Sequence, residues 1–184
     1  MNLPIPAGNP VVDYLVDAWQ RNVLFLDTLR ERSRAYREHM ASPAPNVLHF
    51  RHELVMHGLE LPRPVNYCLL RILPDAAAPM DPCKRPIIVI DPRAGHGPGI
   101  GGFKPDSEIG VALACGHPCY FIGFTTEPVE GQTILDVIDA LGSFQNEVIR
   151  RHPDAQGLPL AIGNCQAGWA LAMAAATRPE RFGP

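Results

Sequence analysis

Hydrophobic residues return along this chain at two different spacings. Between residues 10 and 40, Val12, Leu15, Trp19, Val23, Leu26 and Leu29 recur at steps of three or four, which predicts one long amphipathic helix. Asn9 is placed to cap it, and Pro10 is tolerated at the first helical position. Asp13 and Asp17 near its start, and Arg30, Arg32, Arg34 and Arg37 near its end, follow the order that the helix dipole favours. The stripe predicts packing on the chain's own domain, with docking onto a partner or a granule-like surface as the alternative. From Ser42 to Pro86, prolines punctuate two weaker strand patterns, near Asn46–Met56 and Val65–Leu73.

Beyond Arg85 the pattern becomes regular. Pro86–Asp91 and Cys119–Phe124 are short continuous apolar runs, the mark of strands buried on both faces, and Leu158–Gly163 reads as a third strand. Helices are predicted at about Asp106–Ala114, Ile134–Arg150 and Ala167–Ala176. In the second of these, Ile134, Val137, Ile138, Leu141, Phe144 and Val148 share one face. Strand and helix alternating three times predict an α/β fold with a mostly parallel sheet and helical crossovers. The uncharged stretch Leu158–Thr177 has the length of a membrane span, but Pro159, Gly163, Asn164, Gln166 and Gly168 divide it into strand, turn and helix. No transmembrane segment is expected. The predicted organisation is a helical region over residues 1–42 followed by an α/β domain over residues 43–184.

Composition narrows the function classes. Of the 184 residues, 46% are apolar and 19% charged, which allows a sizeable core. A formal charge of -3 and a pI near 6.1 argue against a general binder of nucleic acid or anionic membrane. Five cysteines are an odd number, and Met1–Pro4 has neither a basic region nor an apolar run behind it. A reduced, cytoplasmic compartment without a signal peptide is therefore expected.

The third strand runs through Gly163-Asn164-Cys165-Gln166-Ala167-Gly168 straight into a helix. This is the layout of a nucleophile elbow with Cys in place of the commoner Ser. Such a turn holds its nucleophile in a strained backbone conformation and brings the residues two before and two after it close together. Gly163 and Ala167 are small enough for that, and the positive end of the helix would face the Cys165 sulfur. Cys68 and Cys83 read instead as buried structural thiols. An oxyanion hole would take one backbone N–H from Gln166 and another from the loop after an earlier strand, with Arg93 and Ala94 as the candidates. His96 in that loop could contact substrate or simply be solvated.

Two rival chemistries have partial motifs in this chain. Gly97-Pro98-Gly99-Ile100-Gly101-Gly102 fits a dinucleotide-binding fingerprint, with Glu127 as the ribose acid. Pro98 removes an N–H from the turn, and Phe103-Lys104-Pro105 postpones the helix that should cradle phosphate. Cys115-Gly116-His117-Pro118-Cys119 invites a zinc reading, but it spans a helix end and a strand start, and no fourth ligand has suitable spacing. No metal and no resident cofactor are expected.

With the elbow placed, the region from about Phe50 to Phe182 resembles the first part of the catalytic domain of polyhydroxyalkanoate synthases and a poorly characterised bacterial family similar to them. The resemblance is carried by His52-Glu53-Leu54-Val55, Ile87–Ile90, Gly116–Ile122, the elbow Gly163–Gly168 and Thr177–Phe182. Asp17-Ala18-Trp19-Gln20-Arg21 resembles the helical region ahead of that domain. The resemblance implies an α/β-hydrolase fold and acyl transfer from a 3-hydroxyacyl-coenzyme A thioester onto Cys165, then onto a growing polyester. It leaves a polyester granule surface and a second copy of the chain as further partners. The synthases usually carry Gly two residues after the Cys, where this chain has Ala167. A thiol esterase or lipase-like hydrolase is the alternative, and a non-catalytic binding or granule-associated protein of the same fold is the rival. In this architecture the acid and the His follow the nucleophile, yet no His follows Cys165 here. The expectation is therefore the N-terminal portion of a larger enzyme, inactive alone, with its triad partners beyond Pro184.

Overall fold

A computed structural model of the chain describes residues 9–41, 48–74, 80–94 and 97–182. The chain divides into two units, Met1–Pro45 and Asn46–Pro184. The first contains a single helix, α1 (Pro10–Met40), of 31 residues. Asn9 caps it as expected, its Oδ1 accepting the Val11 N–H at 3.0 Å, and Pro10 occupies the first turn. Among the described residues of its unit this helix has nothing against which to bury a stripe, and no residue of α1 is buried.

The second unit is an α/β structure built on five strands: β1 (His52–His57), β2 (Tyr67–Ile72), β3 (Ile87–Ile90), β4 (Cys119–Phe124) and β5 (Leu160–Gly163). Three helices, α2 (Glu108–Ala114), α3 (Ile134–Arg151) and α4 (Gln166–Thr177), connect or follow the later strands. The order across the sheet is β1-β2-β4-β3-β5. β3 lies parallel to both β4 and β5, with Ile90 opposite Ile122 on one side and Gly163 on the other. β2 runs antiparallel to β1 and to β4. The sheet is thus mixed rather than mostly parallel. The reason lies in the connections: only a short 3₁₀ turn at Gly58–Glu60 and a few further residues link β1 to β2, whereas parallel neighbours need a long crossover.

Alternation along the strands divides the core between the two faces of the sheet. Ile88, Ile90, Tyr120 and Ile122 pack with Val137, Leu141, Phe144 and Val148 of α3 and with Ala167, Ala170 and Ala174 of α4. Ile87, Val89 and Phe121 face the other way, onto Ile109 and Ala112 of α2. Phe144 is fully buried at the centre of the first cluster. Phe144→Ala is expected to cost about 3–5 kcal/mol of stability, read as a lower urea midpoint with an unchanged slope. β5 is half-exposed because no further described strand pairs with its outer edge. The uncharged stretch does divide into β5, a turn and α4. No described helix is long and apolar enough to cross a membrane.

The N-terminus of α3 is closed by a capping box in which the Thr133 hydroxyl accepts the Asp136 N–H and the Asp136 carboxylate accepts the Thr133 N–H. Arg63 Nε donates to Asp136 Oδ1 at 2.5 Å. The Arg63 hydrogen bond, then those from Thr133, hold the Asp136 carboxyl down at about 2. A depressed carboxylate pKa contributes stability that is complete above its unfolded value and lost as pH falls through the folded value. Urea midpoints should therefore drop between pH 3.8 and about 2. Asp136→Asn should start lower and lose less across that window.

Candidate active site

Cys165 occupies the second position of the two-residue turn between β5 and α4, with φ 53° and ψ -124°. Only Cys165 and Arg93 among the described non-glycine residues have positive φ. For an L-residue such a conformation costs about 1–3 kcal/mol and persists only where its surroundings enforce it. The enforcement comes from both sides of the turn. A Cβ on Gly163 would stand 2.9 Å from the Ala167 carbonyl oxygen, and one on Gly168 would stand 3.1 Å from that of Gly163. Ala167 itself is buried against the core. The Ala167 and Gly168 N–H groups donate to the Asn164 and Cys165 carbonyls at 3.0 and 3.1 Å, closing the first turn of α4.

The strand end lifts the nucleophile candidate into the open: Cys165 and Gln166 are both exposed. The Gln166 N–H is the first of α4 and precedes the intrahelical ladder, so it is available to a ligand. Asn164 points elsewhere. Its Nδ2 donates to Glu108 Oε2 at 2.8 Å, tying the elbow to the start of α2. Glu108 escaped the sequence reading, because an acid in the first turn of a helix is explained by the helix dipole alone. No local pattern could have paired it with a residue on another element.

The loop after β3 leaves the sheet beside the elbow, since β3 and β5 are neighbours and run in the same direction. Arg93 lies there with φ 57°. Its N–H donates to Asp91 Oδ1 at 2.8 Å, which leaves Ala94 as the candidate second oxyanion donor. Gly95 and His96 lie outside the described residues. The dinucleotide reading of the same loop finds no helix at its end: a 3₁₀ turn at Gly99–Gly101 intervenes, and α2 begins only at Glu108, capped by Ser107.

The remaining thiols and imidazoles are placed elsewhere. Cys119 is buried with its Sγ on the His117 carbonyl at 3.4 Å, and burial pushes its thiol up to about 12. Burial also raises Cys68. Cys83, expected to be a buried structural thiol, is exposed, as is Cys115. His117 Nδ1 bonds to the Arg85 carbonyl at 2.8 Å, and His152 pairs with the buried Tyr120 hydroxyl at 2.9 Å. Both imidazoles thus sit at the N-terminal ends of β3 and β4, the opposite end of the sheet from Cys165. Among the described residues no cluster of three or more His, Cys, Asp or Glu could hold a metal ion.

Two comparisons bear on this site. The profile described as "Protein of unknown function (DUF3141)" matches residues 17–184. A curated relative from Rhizobium meliloti, named "Uncharacterized protein in ackA 5'region", is 59% identical over 180 residues, covering 98% of this chain and 25% of its own length. The chain thus spans a quarter of that relative.

Proposed function

We propose that this chain, which belongs to the DUF3141 family over residues 17–184, is part of an α/β-hydrolase-fold enzyme that forms a covalent acyl intermediate on Cys165. The observation that carries this reading is the strained backbone of Cys165 between β5 and α4, braced by the contact of Gly163 with Ala167. A structural cysteine gains nothing from that conformation. A nucleophile gains exposure and a place at the mouth of a helix N-terminus.

The substrate class is a 3-hydroxyacyl-coenzyme A thioester, the one implied by the likeness to polyhydroxyalkanoate synthases. The Cys165 thiolate attacks the thioester carbonyl, a new carbon–sulfur bond forms, and the bond to coenzyme A breaks. Coenzyme A departs with its sulfur and takes up a proton. Exchange between two thioesters is close to balanced in energy, so the protein's task is to orient the thiol and stabilise the oxyanion. The Gln166 N–H supplies one donor, and Ala94 is assigned the other. The general base and its acid partner are assigned to polypeptide outside this chain, in keeping with the much greater length of the relative.

The test is to incubate the full-length protein with 3-hydroxybutyryl-coenzyme A, map the modified peptide, and analyse the products. Hydroxyacyl label on Cys165 together with polymer supports the synthase. Label with release of free acid assigns a hydrolase, and absence of label on Cys165 overturns the nucleophile.

A further inference from the structure

Tyr67 opens β2 and stands opposite Phe124, the last residue of β4. It is 2% exposed, and its hydroxyl, buried with it, has no hydrogen-bond partner among the described residues. A buried hydroxyl left unpaired is destabilising, and in native proteins such groups are scarce. Above it lies Arg93, whose guanidinium carbon is 5.7 Å from the centre of the Tyr67 ring and 6.0 Å from that of Phe124. No carboxylate of the described residues forms an ion pair with this guanidinium, although its own backbone N–H is held by Asp91. Two ring faces therefore orient a cation whose donors meet no acceptor among the described residues. Arg93 also has one of the two strained non-glycine conformations among the described residues. The other is that of Cys165.

Across the sheet, Tyr67 on β2, Phe124 on β4, Arg93 just past β3 and Cys165 just past β5 all lie at one end of four adjacent strands. We infer that Arg93 and Tyr67 form an anion subsite at the same end of the sheet as the elbow, taking a negatively charged oxygen group, carboxylate or phosphate, of the molecule that reacts at Cys165. The inference rests on the reading of Cys165 as the nucleophile and adds to it a charge on the substrate side. The guanidinium supplies paired donors suited to either oxyanion, and the Tyr67 hydroxyl donates a further hydrogen bond from below.

The test compares two alkylating reagents that differ in little but charge, iodoacetate and iodoacetamide, on the full chain at low salt with peptide-level mass spectrometry. The exposed Cys83 and Cys115 serve as internal references. The ratio of iodoacetate to iodoacetamide rates at Cys165 should exceed that at the references. It should fall about fivefold in Arg93→Gln, the scale of one charge acting over about 4 Å of bulk water, and be retained in Arg93→Lys. Tyr67→Phe should raise the melting temperature while weakening protection of Cys165 by anions; a purely structural tyrosine would not trade the two. Protection by 3-hydroxybutyrate but not inorganic phosphate assigns the site to a substrate carboxylate, and the reverse assigns it to a carrier phosphate. An unchanged rate ratio in Arg93→Gln overturns the subsite while leaving the nucleophile standing. If Cys165 reacts with neither reagent, the nucleophile falls and the subsite with it.

Discussion

Replacing Cys165 by alanine is expected to abolish hydroxyacyl labelling of the protein and to lower turnover of a hydroxyacyl thioester by at least about 10³-fold, as loss of a covalent nucleophile does elsewhere. The structure gives this prediction its specificity. Cys119 and Cys68 are held protonated by burial, Cys119 with its thiol at about 12, so neither can substitute at neutral pH. Cys83 and Cys115 are exposed but stand outside the elbow. The alanine variant should keep the wild-type fold and even gain slightly in stability, since it removes a sulfur from a solvent-exposed position without opening a cavity. Intact-protein mass after reaction with 3-hydroxybutyryl-coenzyme A reads the first effect, and thermal melting reads the second. Wild-type turnover in the alanine variant would place the chemistry elsewhere.

Gly163→Val is expected to give the second largest change, and by a different route. Even a single Cβ at this position meets the Ala167 carbonyl oxygen at 2.9 Å and its carbonyl carbon at 3.0 Å. Both are backbone atoms of the first turn of α4, so no flexible side chain can give way. The turn must open, carrying Cys165 out of its strained conformation. Displacing a nucleophile by about 1 Å costs on the order of 10²-fold in rate, and overpacking of this kind costs about 1–3 kcal/mol in stability. The variant should retain its far-UV circular dichroism, because β5 lies at the edge of the described sheet and the core beneath α3 is untouched. Labelling of Cys165 at the wild-type rate in folded Gly163→Val would mean that the tight elbow is not what presents the thiol.

Local patterns made much of the fold legible. The apolar runs of β3 and β4, the single face of α3 and the capped start of α1 are each encoded within a few residues, and the structure reproduces them within a residue or two. The elbow was legible for the same reason. Its requirements, small residues on either side of Cys165 and a strand running into a helix, concern neighbours in sequence. Less was visible where partners are remote. The antiparallel pairing of β2 with β4 joins segments separated by the whole of β3 and α2. The contact of Asn164 with Glu108 and the approach of Arg93 to Tyr67 are likewise long-range.

Taken alone, the sequence determined the alternation of strand and helix, the place of the sharp turn at Cys165 and the absence of any surplus of positive charge. These depend on period, residue size and composition, which act over a turn or two of chain. Only the tertiary structure decided that the sheet is mixed, that His117 and His152 lie at the far end from the thiol, and that a buried tyrosine and the Arg93 guanidinium stacked on it stand at the same end of the sheet as Cys165. The physical reason is that strand order and side-chain neighbourhood follow from how apolar faces of distant segments cover one another. That is a property of the assembled core, and no single stretch of the chain contains it.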